Sequence, residues 1–287
     1  IEHAKEAYLE FAYVDYQATE NFGIRGGMLL VPMGLVNEFH EPTVFLGTER
    51  PFTENKIIPS TWRENGAGIY GAFDKVSFRL YTVNGFNGQK FSSGGLRSGR
   101  QKGGKTKADS MAVTGRLDVT PTPGVFFGAS FYTGGANFAM DTDDLGLTIV
   151  DVHGQAQVRG FDVRGLYATA SLDAAARFNE KQGLTGSKGL AEKMEGGYVL
   201  FGYNVLSQTS DIGGPAFTPY FKFERVDTQA KMPVGYSRSL STLNNFRTIG
   251  FELKPIPNVV VKVDRMWVTN DAKSGLDQFN INLGYGF

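Results

Sequence analysis

Residues 278–287 read Gln278-Phe-Asn-Ile-Asn-Leu-Gly-Tyr-Gly-Phe287. Apolar or aromatic side chains occupy every second position of this stretch, and polar residues or glycine stand between them. Successive side chains of a β-strand point to opposite faces of the sheet, so this period of two predicts a strand with one apolar face. The alternating residues are Phe279, Ile281, Leu283, Tyr285 and Phe287.

The same period recurs along the chain, which predicts an all-β fold. Thirteen segments carry it, most of them near the ~9–11 residues with which a tilted strand crosses a bilayer. They cover roughly residues 7–16, 22–30, 66–73, 75–83, 109–118, 124–133, 145–158, 160–170, 193–206, 216–226, 245–254, 258–269 and 276–287. One short helix is expected at 171–182, in a connection.

Short and long connections alternate between these strands. The long ones are 31–65, 84–108, 171–192 and 227–244. Nothing in a soluble β-sandwich requires its odd- and even-numbered connections to differ in length. An up-and-down barrel across an outer membrane, by contrast, has short periplasmic turns and long external loops. We therefore predict a single transmembrane antiparallel β-barrel over residues 1–287. A soluble sandwich or a large lipocalin-like barrel is the alternative.

The alternation of short and long connections also bears on the number of strands. If Phe287 ends in the periplasm, the strand at 7–16 runs downward and an upward strand precedes it. Residues 1–4 would then be the end of that incomplete first strand. Because single-chain bacterial barrels usually have an even strand number, we expect about 14 strands, within a range of 12–16.

Composition excludes several functions. The chain has no cysteine, 29 basic and 29 acidic residues, and 13% aromatic residues. Balanced charge gives no reason to expect nucleic acid as a partner. Only His3, His40 and His153 could serve a metal or a Ser-His pair, and no nucleophile motif accompanies them. We expect no enzyme activity, no metal and no cofactor.

Two resemblances narrow the class. The C-terminal stretch resembles the outer-membrane assembly signal of Gram-negative barrel proteins, which implies recognition by the barrel-assembly machinery. Over about 6–170 the chain resembles porins related to the phosphate-selective O/P type. The matching segments are Leu29-Leu-Val-Pro-Met-Gly-Leu-Val-Asn-Glu38, Ile57-Ile-Pro-Ser-Thr-Trp-Arg-Glu64 and Leu80-Tyr-Thr-Val-Asn-Gly85. This resemblance implies passive diffusion of small polar solutes, often through a homotrimer, in the bacterial outer membrane.

Because alternate residues of a strand face the inside of a barrel, the alternation predicts which charged residues line the lumen. Two interpretations of the lumen are compatible with these residues: a water-filled pore whose transverse electric field orients solutes, and a narrow lumen filled with paired charges. The second would make the protein a closed or plugged barrel with a structural or surface-interaction role. The predicted pore-lining residues are Arg25, Arg79, Arg116, Asp118, Asp151, Arg159, Arg164, Lys222, Glu224, Lys262 and Asp264.

Two connections carry further predictions. Loop 31–65 is too long for a structureless tip, and we expect it to fold into the lumen with Arg50, Arg63 or Glu64 at the constriction. The alternative is a cap over the mouth. The basic run at 97–107 is expected to contact lipopolysaccharide phosphates or to recruit anions, or else to be a solvated loop. Its basic residues are Arg97, Arg100, Lys102, Lys105 and Lys107.

Overall fold

The protein is described by a computed structural model covering residues 9–104, 106, 108–136, 145–209 and 213–286. Thirteen strands dominate the described residues. They are β1 (Ala12–Thr19), β2 (Phe22–Leu30), β3 (Arg63–Phe73), β4 (Val76–Asn84), β5 (Met111–Thr122), β6 (Val125–Gly135), β7 (Gly146–Val158), β8 (Phe161–Leu172), β9 (Lys193–Tyr203), β10 (Ala216–Lys231), β11 (Leu243–Ile256), β12 (Val259–Thr269) and β13 (Gln278–Tyr285).

Helical segments lie only in the long connections of the described chain. Helix α1 (Thr53–Lys56) lies between β2 and β3, and helix α2 (Ala175–Lys181) between β8 and β9. The second falls within the predicted helix at 171–182. Short 3-10 turns occupy Gly88–Lys90, Arg97–Gly99 and Gly186–Lys188. No helix of the described residues is long and apolar enough to cross a membrane.

All strands join one antiparallel sheet in sequence order, with β1 and β13 at its two ends. The all-β, up-and-down prediction is therefore confirmed. The expected strand end at residues 1–4 lies outside the described residues, as does Phe287.

The strand boundaries differ from prediction where the alternation fails. The loop predicted at 227–244 is shorter in the structure and covers 232–242, because β10 continues to Lys231 and β11 begins at Leu243. The added segment Asp-Thr-Gln-Ala-Lys at 227–231 is polar at most positions, so it carries no apolar period. Likewise β3 begins at Arg63, three residues before the predicted start.

Two-residue turns join most strands at one end of the sheet, which we call the short-turn end; the β9–β10 connection there, 204–215, is longer. Arg159 and Gly160 link β7 to β8 with φ of 50° and 87°, a left-handed conformation suited to a two-residue hairpin. Longer connections join the strands at the opposite, long-loop end: 31–62, 85–110, 136–145, 173–192, 232–242 and 270–277.

The two faces of the sheet are the reverse of those in a water-soluble protein. On β7, Asp151 and His153 are buried, whereas Val150 and Val152 on the opposite face are exposed, Val152 at 55%. On β10, Lys222 and Glu224 are buried and Phe221 and Phe223 are exposed. We call the buried face the inner face and the other the outer face.

The inner face changes character along the strands. On β8, Asp162 and Arg164 near the short-turn end are followed by Leu166, Ala168 and Ala170 towards the long-loop end. The interior thus has a charged layer at one end and an apolar layer at the other. The apolar layer includes Trp62, Phe86, Tyr132, Leu147, Phe178, Met194 and Phe246.

Candidate functional site

The connection between β2 and β3, which we call the inner loop (residues 31–62), lies on the inner face of the sheet. Trp62, Ile57 and Ile58 are fully buried. The Trp62 ring packs against Phe86 and Tyr132, with ring centroids 4.6 and 4.8 Å apart. Burial of this apolar surface stabilises the seated position of the loop.

Charged side chains of the wall bind the backbone of the inner loop. Glu224 Oε1 on β10 accepts hydrogen bonds from Thr53 N (2.6 Å) and Thr53 Oγ1 (2.9 Å). Asp151 on β7 accepts from Gly34 N (3.2 Å), and Arg116 on β5 donates to Gly34 O (2.5 Å). A loop buried in this way must have its polar groups paired, and the wall charges supply the partners.

A second set of anchors holds residues 43–48 at the other side of the interior. Asp264 on β12 accepts from Thr48 N (3.0 Å) and Thr48 Oγ1 (2.7 Å). Lys262 Nζ donates to Phe45 O, and Arg164 Nη2 on β8 donates to Val44 O (3.2 Å). Because strands from β5 to β12 all reach one loop, the sheet must curve around it.

The two ends of the sheet approach the same stretch of the inner loop. His40 Nε2 lies 3.1 Å from Glu10 Oε1, just before β1. On β13, a methyl group added at Gly284 would lie 2.6 Å from Pro42 Cβ. The curvature therefore brings β1 and β13 to neighbouring sites on one segment.

A network of hydrogen bonds crosses the charged layer. His153 Nδ1 lies 2.6 Å from Asp151 Oδ1, and its Nε2 lies 3.0 Å from Asp118 Oδ1. Ser130 Oγ donates to Asp151, and Arg116 Nε donates to Asp118 (2.7 Å). These side chains are buried, so the network fixes the wall to which Gly34 is bound.

Glu54 of the inner loop is a buried carboxyl outside the strands. Its Oε1 accepts from Tyr198 Oη (2.5 Å) and its Oε2 from Val36 N (2.7 Å). Burial raises the pKa of Glu54 to about 7, since the ionised form is poorly solvated there. Gly34 adopts a left-handed conformation with φ of 70°, and a side chain there would collide with this carboxyl.

Two cavities that share lining residues lie between the inner loop and β1–β4, and we call the space that they occupy the passage. Their volumes are about 270 Å³ towards the short-turn end and about 210 Å³ towards the long-loop end, and both are lined by Arg25 and Glu38. Arg79 Nε lies 3.2 Å from Glu38 Oε1. We call Arg25, Glu38 and Arg79 the neck of this passage.

Arg25 is held firmly at the neck. Its Nε and Nη2 atoms donate to the two carboxylate oxygens of Asp15 at 2.6 and 2.9 Å. The guanidinium also stacks on Tyr13 and Tyr70, 4.1 and 4.7 Å from their ring centroids. Bidentate pairing and stacking give the group one orientation beside the passage.

The structure places most predicted pore-lining residues on the inner face, where many bind the inner loop or one another. These are Arg25, Arg79, Arg116, Asp118, Asp151, Arg164, Lys222, Glu224, Lys262 and Asp264. Arg159 instead lies in the β7–β8 turn with an exposed side chain, at the rim of a separate cavity of about 280 Å³. Strand parity does not apply in a turn.

The predicted constriction residues need correction. Arg63 and Glu64 are the first residues of β3, paired with Leu30 and Leu29 of β2, and are not part of the loop. Arg50 is in the inner loop, where Nη2 donates to His40 O (3.3 Å), but it does not line the neck. Charge alone does not distinguish the end of a loop from the start of a strand.

The basic run is also placed differently from a solvated loop. Arg97 and Arg100 turn inward and both donate to Ser60 O at 2.6 Å. Burial lowers the pKa of Arg100 to about 10. Lys102 is exposed, and Lys105 and Lys107 lie outside the described residues. Of the predicted assembly signal, Phe279, Ile281, Leu283 and Tyr285 are exposed on β13.

Glu38 and Glu54 were not among the predicted site residues. Their roles depend on the path of the inner loop through the interior, which strand periodicity does not describe. The apolar residues of that loop, such as Val31, Met33 and Trp62, are the signal that could have indicated its burial.

Comparisons with known proteins bear on the fold. No family model matches the chain. A protein of Aquifex aeolicus (strain VF5), described as "Uncharacterized protein", is 38% identical over 286 residues. The alignment covers 96% of this chain but 64% of that protein, so the chain spans less than two thirds of its relative.

Solved structures of outer-membrane proteins share the architecture. A loop-deletion mutant of OmpT, an outer membrane protein of Vibrio cholerae, matches with a TM-score of 0.54 at 10% identity, covering 98% of this chain and 80% of that one. The anion-selective porin of Comamonas acidovorans matches with 0.51 at 10% identity (96% and 75%). A BenF-like porin from Pseudomonas fluorescens Pf-5 matches with 0.50 at 10% identity (96% and 66%).

The fold is porin-like. At these identities the similarity concerns the fold alone, and it confirms the predicted class of antiparallel outer-membrane protein folds. Membership of the O/P superfamily stays a prediction.

Proposed function

We propose that the protein is an outer-membrane porin of a Gram-negative bacterium, which lets small hydrophilic solutes or ions diffuse through a closed β-barrel. The observation that supports this most strongly is the reversal of the two faces. Exposed apolar side chains cover the outer face, and buried charges line the inner one. Lipid around the sheet makes this arrangement favourable, whereas water does not.

The outer face has the composition that a hydrocarbon environment requires. Large apolar residues on it are about half exposed, among them Ile249 at 54%, Phe201 at 53% and Leu117 at 51%. Each would lose on the order of 25 cal/mol per Å² by contact with water. Surface of this kind over many adjacent strands is typical of a lipid contact.

The route proposed for solutes is the passage between the inner loop and β1–β4. The inner loop acts as the constriction, and the neck sets its charge. Arg25 is paired with Asp15, while Glu38 faces both Arg79 (3.2 Å) and Arg116 (3.6 Å). Opposite charges thus face each other across the neck, which favours weak ion selectivity.

Planar-bilayer recording tests this proposal. We expect discrete conductance steps from the wild type. Glu38→Gln removes one negative charge from the neck, and a unit charge about 6 Å from an ion in water contributes about 0.7 kcal/mol. Cation permeability should therefore fall about threefold and anion permeability rise by about the same factor, so that their ratio falls about tenfold. Glu180→Gln on the exposed side of α2 is the matched control and should leave the ratio unchanged.

A plugged barrel with a structural or surface-interaction role is the second candidate. The observation that favours it is the apolar layer at the long-loop end, where Trp62, Phe86 and Leu96 are almost fully buried. The absence of any conductance step from wild-type protein shown to be inserted would support it against the porin. In either case we propose outer-membrane lipid, lipopolysaccharide and the barrel-assembly machinery as partners, and a homotrimer as the assembly.

A further inference from the structure

Three arginines interrupt the apolar outer face on consecutive strands. Arg225 lies on β10, Arg247 on β11 and Arg265 on β12, and all three side chains are exposed. We call these residues the arginine row. Their cross-strand partners are Phe223 for Arg247 and Ile249 for Arg265. Each arginine is thus a diagonal neighbour of the next, about 7–8 Å away.

The register of the sheet shows that the arginine row is nearly level. Cross-strand partners connect Asp162 on β8 through Gly202, Tyr220 and Gly250 to Asp264 on β12. Asp162 lies two residues beyond the 159–160 turn, and Asp264 lies six residues beyond the 257–258 turn. The line of partners therefore climbs by about one residue per strand, as expected for tilted strands.

The line of partners moves away from the short-turn end from β8 to β12, whereas the arginine row moves towards that end from β10 to β12. The cross-strand partner of one arginine is always two residues farther from the short-turn end than the next arginine of the row. The two effects largely cancel, which leaves a height difference of about 5 Å between Arg225 and Arg265. The row lies in the half of the sheet nearer the long-loop end: Arg225 is six residues from the end of β10, Arg247 four residues from the start of β11 and Arg265 four residues from the end of β12.

The arginine row makes few contacts with other charged groups of the protein, and Arg225 interacts electrostatically with Glu195 on β9. Within the described part of the chain, neither Arg225 nor Arg247 makes a hydrogen bond or an ion pair. Arg265 has an exposed contact with Asp277 at 3.5 Å and lies 5.8 Å from the centroid of the Trp267 ring. Arginine on a lipid-facing surface is unfavourable at the bilayer midplane but nearly neutral at the interface. A level row of arginines is therefore expected at an interface.

We propose that the arginine row binds the phosphate groups of an outer-leaflet lipid, with its acyl chains packed on the aromatic and aliphatic residues around the row. This rests on the proposed function only for the membrane location. Guanidinium groups bind phosphate through paired hydrogen bonds, and spacings of 7–8 Å let one phosphate bridge two neighbours. Phe223, Ile249, Trp267 and Phe279 supply the apolar surface.

Native mass spectrometry of delipidated protein in detergent tests the proposal. The probes are diphosphorylated lipid A, the same lipid without phosphates, and inorganic phosphate. The variant R225Q/R247Q/R265Q should bind the phosphorylated lipid on the order of 100-fold more weakly than the wild type. The matched control K75Q/K188Q/K273Q removes three exposed charges from connections and should bind as the wild type does.

The remaining outcomes separate the alternatives. Removing the phosphates from the lipid should weaken binding to the wild type as strongly as the arginine substitutions do. Wild-type affinity in the arginine variant would overturn the proposal. Displacement of the lipid by an equal concentration of inorganic phosphate would overturn the assignment to a lipid. Conductance of the arginine variant in a planar bilayer is a separate readout, so a failed porin proposal is distinguished from a failed lipid site.

Discussion

Glu54 makes the stability of the buried inner loop dependent on pH. Its carboxyl is fully buried, accepts from Tyr198 and Val36, and has a pKa raised from 4.5 to about 7 by burial. In the unfolded chain the group ionises near its ordinary pKa. Between about pH 4.5 and 7 the native state therefore holds a proton that the unfolded state has released.

The sign and the size of the effect follow from this difference. A raised pKa contributes stability that is fully present below pH 4.5 and is lost as pH rises through 7. The difference of about 2.5 in pKa corresponds to about 3 kcal/mol in the free energy of unfolding. Glu54→Gln keeps a neutral side chain of the same shape in place. Its stability relative to the wild type should therefore increase by about 3 kcal/mol between pH 4.5 and 8.

Urea unfolding in detergent micelles at several pH values measures this difference. Of the two tryptophans, Trp62 is buried at the end of the inner loop and Trp267 lies on the outer face, so Trp62 fluorescence in a Trp267→Phe background reports release of the loop. Glu49→Gln, at an exposed position of the same loop, is the matched control. Parallel pH profiles for Glu54→Gln and the wild type would show that Glu54 does not take up a proton when the protein folds.

Two further predictions concern the outer face and the anchors of the inner loop. Val152→Arg should cost ~2–4 kcal/mol of unfolding free energy in lipid vesicles, because Val152 lies mid-strand on the outer face; a loss within ~0.5 kcal/mol would indicate a water-exposed face. Glu224→Gln removes an ionised acceptor from the Thr53 N and Oγ1 atoms and should cost ~1.5–3 kcal/mol. It should also speed proteolysis at residues 40–58, and unchanged cleavage would argue against this anchor.

Sequence periodicity was sufficient where one face of a strand is apolar. The predicted strand at 22–30 coincides with β2, and the alternating charges of β7 and β12 lie on one face. It failed where polar residues occupy both faces, as at 227–231 of β10, and where a buried charged pair starts a strand, as at Arg63 and Glu64.

The candidate site was less predictable than the fold. Its geometry depends on contacts between residues far apart in the chain, such as Glu54 with Tyr198 and Thr48 with Asp264. No local pattern specifies which wall charge meets which loop amide. The sequence did predict an inward-folding loop, but its role as a constriction is still a proposal.

Single-channel conductance before and after removal of residues 40–58 tests whether the inner loop is the constriction of a membrane channel. This segment carries Thr48 and Thr53, through which the wall carboxylates hold the inner loop, and it includes α1. If the inner loop narrows a solute path inside a lipid-embedded barrel, the wild type should give small discrete steps and the shortened protein steps several times larger. Equal conductance in two correctly inserted proteins, or no steps from either, would show that the inner loop is not such a constriction.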